Sequence, residues 1–293
     1  MRLSLPLVCF FQSWTAAADN IDKIITDSAD HTTLETALTQ AGLLATLGGA
    51  GPFTVIAPTD AAFTASLADL GAATTADLLA REDLAEILEY HVHPTAKVDP
   101  LEAGTIDTMQ MMQATVTVEG AVTKVTGATE ATISSKVDAD NGVLHVSTDK
   151  ILLPKPIATI ATENGSFGVL LEALTKAGLA ETFGLKNEGK LYTVFAPTDD
   201  AFNAYLKDKD ISKEDLLNDA NLGDILKYHV VAGRKLANEI QAEEVDTLHT
   251  GNKLTLAKNT DGAVTVNGVA VSGQEVLAGN GVIHVLASVL DPT

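Results

Sequence analysis

The sequence predicts two consecutive copies of one α+β domain. Residues 53–63 return as residues 192–202 with identical residues except at the first, fourth and ninth positions. Two further segments return in the same order: Tyr-His-Val at residues 90–92 and 228–230, and Asn-Gly-Val-(Leu/Ile)-His-Val at residues 141–146 and 280–285. The period is far longer than the ~20–50 residues of solenoid repeats. It has the length of an independent globular unit, so the repeat indicates a duplicated domain.

Each copy begins with helical material. Apolar residues recur three and four positions apart in residues 34–41 and 170–177, and Gly42 and Gly178 follow as natural helix ends. The loop that follows is longer in the second copy, around residues 185–191. Insertions of this kind belong in surface loops.

The first repeated motif predicts a buried strand followed by a helix. Residues 53–57 are apolar and β-branched, and Pro58 ends the strand because proline lacks an amide donor. Thr59 and Asp60 then offer side-chain oxygens to the first free amides of the new helix. A second helix over residues 84–88 leads into the Tyr-His-Val segment, and the second copy repeats both features.

The last third of each copy predicts β-structure. Residues 115–118 alternate, and Asn267-Gly268 between two valines is a strong signal for a two-residue hairpin. Residues 153–156, Leu-Pro-Lys-Pro, form a short and stiff linker. The predicted organisation is therefore a leader over residues 1–18, a first domain over residues 19–153 and a second domain over residues 154–293.

Residues 1–18 have the features of a secretory signal peptide. Arg2 precedes a mostly apolar run, and Ala16-Ala17-Ala18 provides an A-x-A cleavage site. Cys9 in this segment is the only cysteine of the chain, so the processed protein would have neither disulfide nor thiol chemistry. No later stretch approaches the ~20 apolar residues of a membrane span. We expect a secreted, extracellular protein, or a periplasmic or cell-surface protein in a bacterium.

The chain is strongly acidic. It carries 39 Asp and Glu against 19 Lys and Arg, a formal net charge of -20. Such a surface repels nucleic acid and anionic membranes, so neither is expected as a partner. The charge provides solubility, and it also suits weak calcium bridging between acidic surfaces.

The three repeated motifs resemble those of the fasciclin domain family. They are (Phe/Tyr)-Thr-Val-(Ile/Phe)-Ala-Pro-Thr-Asp-x-Ala-Phe, the central Tyr-His pair and the closing Asn-Gly-Val-(Leu/Ile)-His-Val. The resemblance covers residues 19–293 and implies, in each domain, a β-sandwich or wedge with helices packed at one side. It also implies a secreted or surface-attached protein of cell adhesion or extracellular matrix. The copies differ at residues 109–112, which are Met-Gln-Met-Met in the first copy, whereas the second copy has Leu-His-Thr-Gly at residues 248–251. This difference leaves open the register of the next strand in the first copy.

The Tyr-His pairs are the candidate partner-binding residues. The resemblance implies that Tyr90, His91, Tyr228 and His229 form part of a binding surface, as proposed for integrin binding in animal members. The same residues also fit a structural role, in which the histidine ring joins a helix end to a neighbouring loop and the tyrosine fills the core. Substitution separates the two interpretations, because loss of a structural pair unfolds the protein whereas loss of a binding pair abolishes only adhesion.

Other candidate sites have incomplete patterns. His91-Val92-His93 places two imidazoles on one face of a strand, but the sequence offers no third ligand and zinc requires three or four. Residues 138–142 resemble a calcium loop, but the glycine arrives one position early and no glutamate closes the loop. We therefore expect no metal and no cofactor. Asn164 begins the only glycosylation sequon, Asn-Gly-Ser.

The sequence lacks the motifs of an enzyme. It contains no Gly-x-Ser-x-Gly motif and no phosphate-binding glycine loop, and nothing places two carboxylates across a cleft. We predict a non-enzymatic adhesion or matrix protein that binds cell-surface or matrix proteins or glycans through its two domains. The alternative is a module that binds a small molecule or glycan in an apolar pocket between helices and sheet. Met109, Met111 and Met112 form either an exposed patch or core filler, and the oligomeric state is left open.

Overall fold

The computed structural model of the chain describes residues 19–259, 262–273 and 275–292. The predicted leader, residues 1–18, lies outside the described residues. Within those ranges the chain forms helices and β-sheets twice in the same order, which confirms the predicted α+β class.

The first domain combines short helices with one seven-stranded sheet. Its helices are α1 (Ile21–Thr26), α2 (Thr32–Gln40), α3 (Leu44–Leu47), α4 (Asp60–Leu70), α5 (Thr75–Leu79) and α6 (Leu84–Glu89). Its strands are β1 (Phe53–Pro58), β2 (Val92–His93), β3 (Gly104–Asp107), β4 (Gln113–Glu119), β5 (Val122–Thr126), β6 (Glu130–Ala139) and β7 (Gly142–Ser147).

The second domain repeats this order with two separate sheets. Its helices are α7 (Ile157–Asn164), α8 (Gly168–Lys176), α9 (Asp199–Lys209), α10 (Lys213–Leu217) and α11 (Leu222–Tyr228), with a 3-10 turn over Ala180–Phe183. Its strands are β8 (Tyr192–Pro197), β9 (Val230–Ala232), β10 (Glu243–Asp246), β11 (Lys253–Lys258), β12 (Val264–Val266), β13 (Val269–Ala270), β14 (Val276–Ala278) and β15 (Gly281–Leu286).

Parallel pairing of two distant strands organises both domains. β1 pairs with β7, from Phe53 opposite Gly142 to Pro58 opposite Ser147, and β8 pairs with β15 in the same way. The first sheet has the order β2-β1-β7-β6-β5-β4-β3, and the second domain has the orders β14-β15-β8-β9 and β10-β11-β12-β13. The first and last repeated motifs of each copy therefore lie side by side.

Strand β6 explains why the first domain has one sheet and the second has two. It is long enough to pair with β5 at its beginning and with β7 at its end, across an irregularity between Ile133 and Ser135. In the second domain the corresponding stretch is divided into β13 and β14, which lie in different sheets. Gly273 lies between them with φ +75°, a backbone conformation that interrupts a strand and favours glycine.

The central strands are buried on both faces. Val55 packs into the cluster formed with the helices, whereas its neighbour Ile56 packs with Tyr90 on the opposite face. Val194 and Phe195 divide in the same way between the two clusters of the second domain. This two-sided burial is the reason that these strands are continuous apolar runs rather than alternating ones.

The two polar residues after β1 cap different helices. Thr59 accepts a hydrogen bond from Ala62 N at 3.4 Å and caps α4, as predicted. The prediction that Asp60 caps the same helix is wrong, because its carboxylate accepts from Thr33 N and Thr32 Oγ1, each at 2.7 Å, at the start of α2. Asp199 repeats this contact at α8, so the motif couples two helices in each domain.

A buried asparagine ties the opening helix of each domain to the final strand. Asn141 Oδ1 accepts from Ile21 N at 2.9 Å, and its Nδ2 donates to Leu47 O at 2.6 Å. Asn280 makes the same contacts, with Ile157 N at 2.8 Å and Phe183 O at 3.0 Å. Both side chains are almost completely buried, so they satisfy main-chain groups that water does not reach.

The two domains contact each other through Arg81, which forms a buried ion pair within the first domain, and through the linker. Arg81 Nε and Nη2 each lie 2.8 Å from a carboxylate oxygen of Asp83, and Nη2 also donates to Leu185 O of the second domain at 3.2 Å. Leu185 belongs to the loop that is longer in the second copy, so the insertion supplies the contact. Within the linker, Lys155 O accepts from Gly279 N at 2.8 Å, which holds the linker against the second domain.

The buried asparagine is the first test of this architecture. We expect N141A to lower the free energy of unfolding by about 2–3 kcal/mol, because it leaves the Ile21 amide and the Leu47 carbonyl buried without partners. The measurement is urea denaturation of the purified protein. N203A, at an exposed position of α9, is the matched control and should change stability by less than ~0.5 kcal/mol. Equal stability of N141A and N203A would contradict the role assigned to Asn141.

Candidate functional site

The Tyr-His pairs lie where α6 and α11 end. His91 is 3% exposed; its Nδ1 lies 2.7 Å from Ile87 O, and its Nε2 lies 2.9 Å from Leu152 N. Because Leu152 N is a donor, Nε2 must accept, and the ring proton is on Nδ1, which donates to Ile87 O. The ring therefore joins the last turn of α6 to the segment that leaves the domain.

His229 has the same arrangement in the second domain. Its Nδ1 donates to Ile225 O at 2.8 Å, and its Nε2 accepts from Leu290 N at 2.9 Å. Burial lowers the pKa of both His91 and His229 to about 4, against a partial opposing effect of the hydrogen bond to the helix carbonyl. Both rings are therefore neutral at neutral pH, with neither nitrogen left to bind a ligand.

The tyrosines extend the same connection toward the sheet. Tyr90 Oη donates to Gln113 O at 2.8 Å, at the start of β4, and burial raises the pKa of Tyr90 to about 12. Tyr228 Oη donates to Lys253 O at 3.0 Å, at the start of β11. Each pair thus links one helix end, the final segment of its domain and the first residue of a long strand. Partner binding by these four residues remains a prediction.

The histidines of the closing motif are also buried. His145 Nε2 donates to Val98 O at 2.9 Å, and His284 Nε2 donates to Lys235 O at 2.9 Å. The His284 ring stacks on Phe195 with the centroids 5.4 Å apart. Burial lowers the pKa of both histidines. These rings hold loops against the central strands.

This arrangement limits the chemistry available at the Tyr-His pairs. A general base must present a free nitrogen or oxygen to the proton that it removes. The nitrogens of His91 and His229 are both occupied by main-chain groups. His93, the other half of the predicted His-x-His pattern, contacts Asp107 O through Nδ1. Across the described ranges, no group of three or more His, Cys, Asp or Glu side chains could hold a metal ion.

A short loop in front of Tyr90 has the features of an interaction surface. Met111 is 67% exposed and has φ +61°, a conformation that is rare for a side chain other than Gly, Asn or Asp. Its neighbour Gln110 is 3% exposed, and neither amide atom has a hydrogen-bond partner among the described residues. Residues 108–112 thus combine two energetically unfavourable features, which makes this loop a candidate interaction surface.

The three methionines have different environments. Met109 packs against the helical core, and Met112 packs against the cluster on the other face of the sheet. Met111 alone among them projects outward. The second domain has Thr250 and Gly251 in the corresponding loop, so an exposed methionine distinguishes the first domain.

Asn164 is exposed as the last residue of α7, and Gly165 follows in the left-handed conformation. Its position leaves the amide accessible, and glycosylation there remains a prediction.

Sequence reasoning missed the positioning roles of Asn141, Asn280, Asp60 and Asp199. Their signal in the sequence was repetition at equivalent places of both copies, but repetition alone does not say which main-chain groups a side chain will meet.

Neutral buried histidines predict a loss of stability in mild acid. Above pH 6.5 the histidines are neutral in both states and their contribution is complete. As the pH falls toward 4, the unfolded chain gains protons that the folded chain does not, which costs about 1.4 kcal/mol per pH unit for each histidine. Urea denaturation at about pH 7, 6 and 5 measures this slope.

Histidine resonances in the folded protein provide the direct check of this prediction. Those of His91 and His229 should stay in the neutral position down to about pH 5, above their pKa of about 4. Stability that is flat over this range, or titration of these rings near pH 6.5, would contradict the arrangement described.

Among the described residues, no helix has both the length and the apolar character needed to cross a membrane.

Comparison with known proteins places both halves in one family. The profile of the fasciclin domain matches residues 29–154 and 165–292. Protein sll1483 of the cyanobacterium Synechocystis is 42% identical over 139 residues, which is 46% of this chain and 73% of that protein. The fasciclin-like arabinogalactan protein elcF of Phaeosphaeria nodorum is 35% identical over 153 residues, 52% of this chain and 45% of that protein.

Longer relatives match over a smaller part of their length. The pig transforming growth factor-beta-induced protein ig-h3 is 36% identical over 148 residues, 49% of this chain and 20% of that protein. The solved FAS1 domain pair of the insect cell adhesion molecule Fasciclin I is similar over 92% of this chain and 94% of that chain, with 17% identity and a TM-score of 0.42. Because the family profile matches both halves over most of their length, the chain belongs to the fasciclin domain family.

Proposed function

We propose that the protein is a secreted, non-enzymatic adhesion or matrix protein that binds partner proteins or surface glycans through its two fasciclin domains. The observation that carries the proposal is the pairing of two such domains in one chain, with an exposed loop in front of a buried Tyr-His pair. Secretion rests on the leader predicted for residues 1–18. Asn164 is the candidate glycosylation site of the secreted protein.

The chemistry of the buried side chains supports a binding role over a catalytic one. Histidine is the side chain that most often exchanges protons in catalysis. His91 and His229 have both nitrogens bonded to main-chain groups, and burial keeps their pKa near 4. Their role is to hold the surrounding backbone in one geometry.

We assign the binding face of the first domain to residues 108–112. Thr108 Oγ1 donates to Met112 O at 2.8 Å and closes the loop, while Tyr90 Oη fixes the next residue, Gln113. Met111 then presents a flexible apolar side chain outward, a side chain that adapts to partner surfaces of varied shape. In this proposal Tyr90 and His91 are positioning residues behind the contact, and Tyr228 and His229 have the same role behind residues 247–252.

The contact between the domains supports bivalent binding. Arg81 and Asp83 are 8% and 4% exposed, and the guanidinium reaches Leu185 O across the contact. A second, longer contact joins Arg234 Nη2 to Glu86 at 3.8 Å. Two sites at a fixed separation gain avidity when a partner surface offers matching spacing. The net charge of -20 favours basic partner surfaces or weak calcium bridging to acidic ones, and disfavours nucleic acid.

A second candidate function is the binding of a small ligand in an apolar pocket. It is favoured by a cavity between the helices and the sheet of the second domain, lined by side chains of α7, α8 and β8.

Adhesion is tested most directly at Met111. We expect M111N to keep the stability of the protein within about 1 kcal/mol, because Asn tolerates positive φ, and to weaken adhesion several-fold by removing the apolar contact. The assay measures retention of protein-coated beads on collagen, fibronectin and cell-wall polysaccharide surfaces, with calcium and with chelator. V137T is the control, since it changes another exposed apolar side chain away from the loop. Equal adhesion of M111N and the unmodified protein would exclude the loop as the binding face.

The positioning role of Tyr90 has its own test. Y90F removes only the hydroxyl that holds Gln113 O, so we expect a loss of about 1–2 kcal/mol in stability and weaker bead retention by a folded protein. Y205F is the control for the loss of a tyrosine hydroxyl, because the Tyr205 hydroxyl also donates to a protein oxygen, Asp291 Oδ2 at 3.3 Å, but lies in the second domain and not at residues 108–112. Adhesion by Y90F at the level of Y205F would show that the pair is structural only.

A further inference from the structure

The second domain contains an apolar cavity between its helices and its central strands. The cavity has a volume of about 50 Å³. Its wall includes Ala161 of α7, Leu170 and Leu174 of α8, Phe183, and Ile283 of β15. Thr175, also in the lining, is exposed, and Ala158 and Leu171 are half-buried, so the cavity reaches the protein surface between α7 and α8.

The first domain supplies an internal reference for this cavity. Ile21 and Ile157 occupy equivalent positions, since each donates its amide to the buried asparagine of its own domain. Counting from this pair, Ala161 stands where the first domain has Ile25. Ile25 is 1% exposed and packs in the core of the first domain. At a second position of this alignment, Ala180 lines the cavity, whereas the equivalent residue of the first domain, Leu44, packs against the core of that domain.

These two exchanges leave space at this place in the second domain. Replacing a buried Ile or Leu by Ala removes side-chain atoms, and the surrounding structure fills the space only in part. The second domain has the smaller side chain at these two lining positions, whereas a third lining residue, Phe183, is larger than Leu47 at the equivalent position of the first domain. A void of this kind lowers stability, so its retention at the surface end of a core points to an occupant.

The rim of the cavity is also more apolar than the equivalent surface of the first domain. The first domain has Asp22 and Glu35 at the positions of Ala158 and Leu171. Both carboxylates are therefore replaced by apolar side chains beside the opening. In a chain with a net charge of -20, the absence of these two acidic groups at the opening removes hydrated charges whose desolvation would oppose the entry of an apolar ligand.

The polar groups of the cavity are already engaged. His229 is part of the wall, but both its nitrogens bond to main-chain groups. The Thr175 hydroxyl donates to Leu171 O at 2.8 Å. A ligand inside the cavity would therefore meet hydrocarbon. The volume is well below the ~150 Å³ of an apolar cavity that admits benzene, so a chain fits better than a ring.

We propose that the cavity between α7 and α8 of the second domain binds the end of an unbranched alkyl chain. The inference rests on the second candidate function and names its ligand class. The chain enters past Ala158 and Leu171, and its end lies against Ala161 and Ala180. A polar group at the other end of the ligand stays in solvent.

The test is calorimetric titration of the purified protein with 1-hexanol, 1-octanol and benzene, and with a soluble oligosaccharide. We expect the two alkanols to bind, with the longer chain binding more tightly, and benzene and the oligosaccharide to bind at least tenfold more weakly. Sedimentation with phosphatidylcholine vesicles shows whether the alkyl chain belongs to a free molecule or to a membrane lipid. Octanol binding alone assigns the cavity to free chain-bearing molecules, whereas vesicle binding that requires the open cavity assigns it to lipid.

Variants taken from the first domain close the cavity. A180L and A161I restore the residues that pack in the first domain, so we expect each to weaken octanol binding at least tenfold and to leave stability equal or higher. L171E restores the charged rim and should weaken binding without filling the cavity. A204I makes the same type of change as A161I on an exposed face of α9 and should bind octanol normally.

The outcomes separate the inference from the function on which it rests. Octanol binding that persists in A180L and L171E would locate the ligand elsewhere and overturn the inference. Binding of benzene or the oligosaccharide in preference to octanol, lost in A180L, would keep the pocket function and overturn the alkyl chain. Absence of binding by every probe would overturn both.

Discussion

Two buried neutral histidines hold the architecture of this protein together. Each ring donates from Nδ1 to the last turn of a helix and accepts at Nε2 from an amide of the segment that ends the domain. A protonated ring could not accept the second bond, and a ring without its Nδ1 proton could not donate the first. Burial enforces the neutral form by lowering the pKa, so the fold and the protonation state depend on each other. Asn141 and Asn280 likewise join distant main-chain groups, since each side chain accepts a hydrogen bond from the opening helix of its domain.

The repeated motifs therefore describe the construction of a fasciclin domain rather than its binding specificity. Their polar residues bond to main-chain groups inside the domain, and Tyr90 and His91 are each nearly inaccessible. In the proposed function, recognition of a partner comes from surfaces that this scaffold positions. The loop in front of Tyr90 is the best example, because a buried hydroxyl anchors its end while Met111 projects from it. A substitution at Tyr90 would therefore alter the protein surface by changing the conformation of that loop.

The two copies keep the same scaffold and differ in the parts around it. The first carries an exposed methionine in a loop where the second has Thr250 and Gly251. The second carries a longer loop that reaches Arg81, and it has Ala161 and Ala180 where the first has large apolar side chains. The two copies of the domain thus differ in a loop with an exposed methionine, in an apolar cavity and in an insertion that contacts the other copy.

Much of this follows from the sequence because repetition and periodicity are local or pairwise properties of the chain. The copies, the buried strand at residues 53–57, the Asn267-Gly268 hairpin and the α+β class all follow from residue order, since apolar spacing and turn chemistry act over a few positions. The sequence could not decide what each polar side chain meets. Asp60 was expected to cap its own helix and instead caps α2, because parallel pairing of β1 and β7 and the packing of the helices bring residues from distant parts of the chain together. The cavity and the exposure of Met111 also depend on tertiary packing, because void space and accessibility are properties of the assembled surfaces and not of any one segment.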